Sequence, residues 1–91
     1  AKPADIELAP GHVVSMWTYN GMLPGPRIVA KVGDRVRVHL KNSLAEATTI
    51  HWHGLRLPAS QDGSLAVQEE IEPGETYSYE FVVQDAGTFW Y

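Results

Sequence analysis

Arg35-Val36-Arg37-Val38-His39-Leu40-Lys41 alternates charged or polar side chains with aliphatic ones from end to end. Successive side chains on a β-strand leave on opposite faces, so Val36, Val38 and Leu40 point one way and Arg35, Arg37, His39 and Lys41 the other. That pattern reads as a strand with one face on a core and one in water, and it makes His39 a solvated side chain. The same period returns on both sides. Ile6-Glu7-Leu8-Ala9 reads as a first strand closed by Pro10-Gly11, with His12 in the turn, and Val13 to Tyr19 reads as a second. Asn20 to Pro26 is a turn-rich connector, after which Arg27 to Lys31 leads through Gly33-Asp34 into the strand quoted first. Downstream, Pro73-Gly74 introduces Thr76 to Val83, where Tyr77, Tyr79, Phe81 and Val83 share a face. Short period-two segments between turns, with almost no helical signal, predict an all-β antiparallel sandwich or barrel.

Composition narrows the function. The chain has 91 residues and no cysteine. That is one domain at most, with no disulfide, no thiolate ligand and no cysteine nucleophile. Seven basic against eleven acidic side chains give a net charge of -4, which sets aside nucleic acid and anionic lipid as partners. No apolar run approaches the roughly 20 residues of a membrane span, and Ala1-Lys2-Pro3-Ala4-Asp5 lacks the regions of a signal peptide. The last residues, Thr88-Phe89-Trp90-Tyr91, follow directly on the turn Asp85-Ala86-Gly87. Three aromatics at the end of a chain read as a cut inside a strand, and the expectation is a fragment.

The residues best suited to chemistry lie in Thr48-Thr49-Ile50-His51-Trp52-His53-Gly54. In a strand both imidazoles leave on one face, roughly 6–7 Å apart at about 3.3 Å rise per residue, while Ile50 and Trp52 enter the core. Imidazole is the commonest side-chain ligand of copper, zinc and iron. Two rings so placed serve one ion or two neighbouring ions, or else are a polar strand face satisfied by hydrogen bonds. A closed site needs three or four ligands, and neither His12 nor His39 is placed to help. In the loop from Leu57 to Ala66, Asp62 in Gln61-Asp62-Gly63 suits a tight turn by spacing alone. Glu69, Glu70 and Glu72 read as a solvated edge, and Met16 and Met22 as packing or loop residues.

Several motifs then fall in a recognisable order: Tyr19-Asn20-Gly21, Leu23-Pro24-Gly25-Pro26, Val32-Gly33-Asp34-Arg35-Val36, Ile50-His51-Trp52-His53-Gly54-Leu55, Asp62-Gly63, Pro73-Gly74-Glu75-Thr76-Tyr77 and Ala86-Gly87-Thr88-Phe89-Trp90-Tyr91. From about Trp17 onward the chain resembles the first cupredoxin domain of a multicopper oxidase of the laccase type. The resemblance implies a Greek-key β-sandwich over residues 1–91, incomplete at its C-terminal end. It implies a share in a trinuclear copper cluster, with His51 on the type 2 copper and His53 on a type 3 copper. It gives Asp62 the place of an acidic proton relay near the cluster.

In the family the Phe-Trp-Tyr strand runs into a second His-x-His pair, and this sequence ends one residue short of it. The type 1 copper and the remaining ligands belong to other parts of such an enzyme. The resemblance therefore implies, as partner, the remainder of an oxidase that couples one-electron oxidation of phenols or cuprous ion to four-electron reduction of dioxygen to water. It also implies a periplasmic or secreted location. Two rival readings stay open on the sequence. One is a non-catalytic periplasmic copper-binding module completed by a partner chain, and the other is a β-sandwich interaction domain whose histidines are structural.

Overall fold

The computed structural model describes residues 1–91 and contains four strands and one short 3-10 turn. Strand β1 (Lys2–Ala9) pairs antiparallel with β2 (His12–Thr18), and β3 (Arg35–Lys41) pairs antiparallel with β4 (Thr76–Val82). The fold is all-β, as the period-two pattern requires. The β3–β4 pairing joins stretches that are distant in the chain, and the connection between them carries the histidine segment.

β3 has the expected boundaries. Leu40 is buried and Val36 and Val38 half-buried, while Arg35, Arg37, His39 and Lys41 face water. His39 is exposed, with Nδ1 2.7 Å from the Ser78 hydroxyl across the sheet. β4 buries Tyr79 and Phe81 and half-buries Tyr77. Arg35 and Arg37 both hydrogen-bond Glu80 on the outer face, at 2.7 and 2.9 Å, and hold its carboxyl below the usual carboxylate range.

The first ribbon differs from its expectation. β1 begins at Lys2 and not at Ile6, because β2 supplies it with a partner along its whole length: Lys2 lies opposite Thr18, Pro3 opposite Trp17 and Ile6 opposite Val14. Pro3 is tolerated because β1 is an edge strand and needs no outward N–H there. His12 is the first residue of β2, paired with Ala9 and exposed, and does not lie in the turn. Gly11 turns the corner with φ +75°, its N–H donating to Glu7 Oε1 at 2.9 Å.

The core is a cluster of Leu40, Ile50, Trp52, Ile71, Tyr79 and Phe81. Trp52 meets Phe81 and Tyr79 edge-on at ring centroid distances of 5.1 and 5.7 Å, with Tyr91 tilted against it at 5.6 Å. Beside it an open, mostly apolar groove of about 690 Å³ runs between residues 24–32 and residues 85–91. Asn42, fully buried, holds the loops together. Its amide donates to the Glu46 and Ile71 carbonyls and its side-chain oxygen accepts from Leu44 N–H.

Tyr79 connects this core to the histidines. Its side chain is fully buried, and its hydroxyl accepts the Ile50 N–H at 2.8 Å and a Gln68 Nε2 hydrogen at 3.0 Å. Tyr79→Phe leaves the Ile50 N–H buried without a partner, which costs about 1–3 kcal/mol. A thermal or denaturant melt is expected to show that loss, together with faster hydrogen exchange at the Ile50 amide. An unchanged melt would mean that water replaces the hydroxyl there.

Candidate metal centre

Residues 48–53 are held by two isolated bridges and do not form a ladder strand, which corrects the sequence expectation. Thr48 exchanges both main-chain hydrogen bonds with Ile71, at 3.1 and 2.9 Å, and His53 N–H donates to Trp90 O at 2.9 Å. Between these bridges the Ile50 amide is taken by Tyr79, a side chain, so no neighbouring strand continues the pairing. The alternation of faces survives without a ladder, as the burial of successive residues 50–53 shows;. Ile50 and Trp52 are 2% and 3% exposed, whereas His51 and His53 both face outward. Gly54, at φ +85°, ends the segment and lets Phe89 pass close by, since a Cβ there would stand 3.2 Å from its ring.

The two imidazoles lie 5.6 Å apart between centroids and nearly perpendicular, at 86°. His51 Nδ1 is 3.0 Å from the Asp62 main-chain carbonyl. A carbonyl only accepts, so the proton of a neutral His51 sits on Nδ1 and the lone pair on Nε2. That is the tautomer a metal needs from Nε2, with the second nitrogen anchored to a main-chain oxygen as in most metal-binding histidines. Asp62 Oδ1 stands 3.2 Å from the same Nδ1, but the single proton goes to the carbonyl. Oδ1 is therefore buried without a hydrogen bond. His53 makes no side-chain hydrogen bond within the chain; its ring lies flat on Trp90, at 4.3 Å and 23°.

Asp62 reaches His51 because the 3-10 turn Ala59–Gln61 ends on it and Gly63 follows at φ +72°. Gly63 packs directly on the main chain of Ile50, where a Cβ would fall 2.0 Å from the Ile50 oxygen. Its own carbonyl accepts from Thr49 Oγ1 at 3.0 Å. On the other flank Arg56 grips Asp85 with two hydrogen bonds of 2.8 Å, which raises the guanidinium pKa and lowers that of the carboxyl.

The structure thus brings His51, His53 and Asp62 together and leaves His12 and His39 elsewhere. Glu69, Glu70 and Glu72 are exposed, Met22 is exposed and Met16 half-buried in β2. No group of three or more histidine, cysteine, aspartate or glutamate side chains converges to hold a metal. The residues present fit part of a copper site: two outward imidazoles, one with its tautomer fixed, and further donors needed from outside residues 1–91. The spacing of the sequence did not mark Trp90 or Tyr79, since their contacts with the histidine segment join residues far apart in the chain.

The multicopper oxidase family profile matches residues 1–91. This chain belongs to the multicopper oxidase family. Among solved structures, it superimposes on the multicopper oxidase of Pseudomonas thermotolerans with a TM-score of 0.92 at 48% identity, over 98% of this chain and 22% of that one. The fold is accordingly cupredoxin-like. Curated relatives include the multicopper oxidase MmcO of Mycobacterium tuberculosis, 43% identical over 98% of this chain and 18% of that protein. The L-ascorbate oxidase of Nicotiana tabacum is 50% identical over 79% of this chain and 13% of its own length. Copper resistance protein A of Escherichia coli is 49% identical over 81% and 12% respectively. The chain therefore spans less than a fifth of the curated relatives it matches. No helix is long and apolar enough to cross a membrane.

Proposed function

We propose that residues 1–91 are the first cupredoxin domain of a copper-dependent oxidase, with His51 and His53 each donating a ring nitrogen to a different ion of one trinuclear cluster. The observation that carries this reading is the pair of same-face imidazoles, set 5.6 Å apart and perpendicular. Copper held there supplies the redox chemistry, in which one-electron oxidation of a phenol or of cuprous ion is coupled to four-electron reduction of dioxygen to water. His51 binds through Nε2, its ring held by the Asp62 carbonyl. The Asp62 carboxylate, whose Oδ1 is buried 3.2 Å from His51 Nδ1 while the side chain stays partly open to water, is the group that passes protons between solvent and the site;. The remaining ligands come from the rest of the oxidase, and the open groove beside Trp52 fits the packing of that remainder. Export to the periplasm or the cell exterior belongs to the same reading and rests on the family resemblance.

Metal analysis and oxygen uptake on the full-length protein test it. An oxidase holds more copper than two imidazoles can bind and consumes oxygen when given a phenol or cuprous ion. Copper bound without oxygen uptake would instead identify a carrier, and no copper at all a structural domain. Asp62→Asn is expected to slow oxygen reduction while leaving copper content intact, and unchanged turnover would remove Asp62 from proton transfer.

A further inference from the structure

The two histidines are held by different devices. His51 has a hydrogen bond behind its ring, whereas neither nitrogen of His53 bonds within the chain. An imidazole free to turn about its χ torsions is a poor ligand, because its in-plane lone pair sweeps through many directions. Two rings meet the His53 imidazole: that of His51 edge-on at 5.6 Å, and the indole of Trp90, which lies flat on it at 4.3 Å and 23°. Within residues 1–91 the indole lies outside the core cluster, 66% exposed. Stacking engages the faces of the imidazole and leaves both edge nitrogens free, so it orients the ring without occupying a coordinating atom.

Trp90 is itself fixed on two sides. Its carbonyl accepts the His53 N–H, so the residue that stacks on the side chain also holds the main chain beneath it. Upstream, the turn at Asp85 is gripped by Arg56. Residues 53–56 and 85–90 are thus tied at both ends, and Phe89 lies against Gly54 between the ties. The main chain that carries the indole is thereby held against the histidine segment.

We infer that Trp90 is a positioning residue for His53, its indole fixing the plane of the imidazole so that the ring is already oriented when a metal arrives. This inference rests on the proposed ligand role of His53, and the experiment separates the two. In the metal-free full-length protein, the indole ring current displaces the His53 ring protons upfield in the NMR spectrum. That displacement is lost in Trp90→Leu and largely kept in Trp90→Phe. In the copper-loaded protein, Trp90→Leu retains copper against a competing chelator roughly 10–100-fold less well, the range for loss of an outer-shell partner, and Trp90→Phe restores most of the retention. Full retention in Trp90→Leu, beside loss of copper in His53→Ala, would overturn the positioning role while leaving the ligand role standing. Unchanged copper in His53→Ala would overturn the ligand role itself, and with it the inference.

Discussion

Replacing either His51 or His53 with alanine in the full-length protein is expected to abolish oxygen reduction and to lower the copper content. The imidazoles are perpendicular and their centroids 5.6 Å apart, so each is a separate donor and neither replaces the other. Loss of a direct ligand exceeds the roughly 10–100-fold penalty of losing an outer partner. His51→Ala is expected to deplete the type 2 copper signal in electron spin resonance. His53→Ala is expected to disturb the type 3 pair, which the same method reads as a new signal from an uncoupled copper. Within residues 1–91 neither imidazole belongs to the core, so truncation leaves the packing of the domain intact. Bound copper itself stabilises the fold, so a thermal melt of the metal-free variant close to that of the metal-free parent separates loss of copper from loss of fold. Normal copper and normal oxygen uptake in either variant would defeat the ligand assignment for that residue.

How much of this arrangement the sequence carried depends on whether each feature is local or crosses the chain. β3 and β4 were legible because alternation alone defines a half-buried strand, and Val38 and Tyr79 occupy the faces their positions predict. The common outward direction of His51 and His53 was legible for the same reason. The ladder expected over Thr48 to Gly54 was not formed, since the partner of the Ile50 amide is a tyrosine hydroxyl distant in the chain. No pattern within the segment encodes that choice. The true start of β1 at Lys2 was hidden because Lys2, Pro3 and Ala4 have weak strand preference by themselves, and only pairing with β2 extends the strand;. Nothing in the sequence around Asn42 marks its full burial, from which its side chain bridges two loops. Asp62 by spacing alone was a turn residue as well, and it does follow a short turn. What spacing could not supply is the contact with His51, which exists because the next residue has no side chain.

That contact makes Gly63→Ala the substitution with the largest expected structural effect at the site. The added methyl would lie 2.0 Å from the Ile50 oxygen and 2.6 Å from its carbonyl carbon, both main-chain atoms with no rotamer to move away. The left-handed backbone at φ +72° alone costs an alanine roughly 1–2 kcal/mol;. The clash adds to this, so the loop must lift off the histidine segment. Lifting breaks the hydrogen bond from Thr49 Oγ1 to Gly63 and the one from His51 Nδ1 to Asp62. His51 then loses the partner that fixes its tautomer, and copper affinity is expected to fall by roughly 10–100-fold. Gly11 supplies the control, because its φ of +75° is nearly the same and nothing lies within 4 Å of where its Cβ would go. Gly11→Ala is expected to show the backbone cost alone, with copper content unchanged. Equal melts for the two variants, with copper intact in both, would mean that the approach of Gly63 to Ile50 does not hold Asp62 against His51.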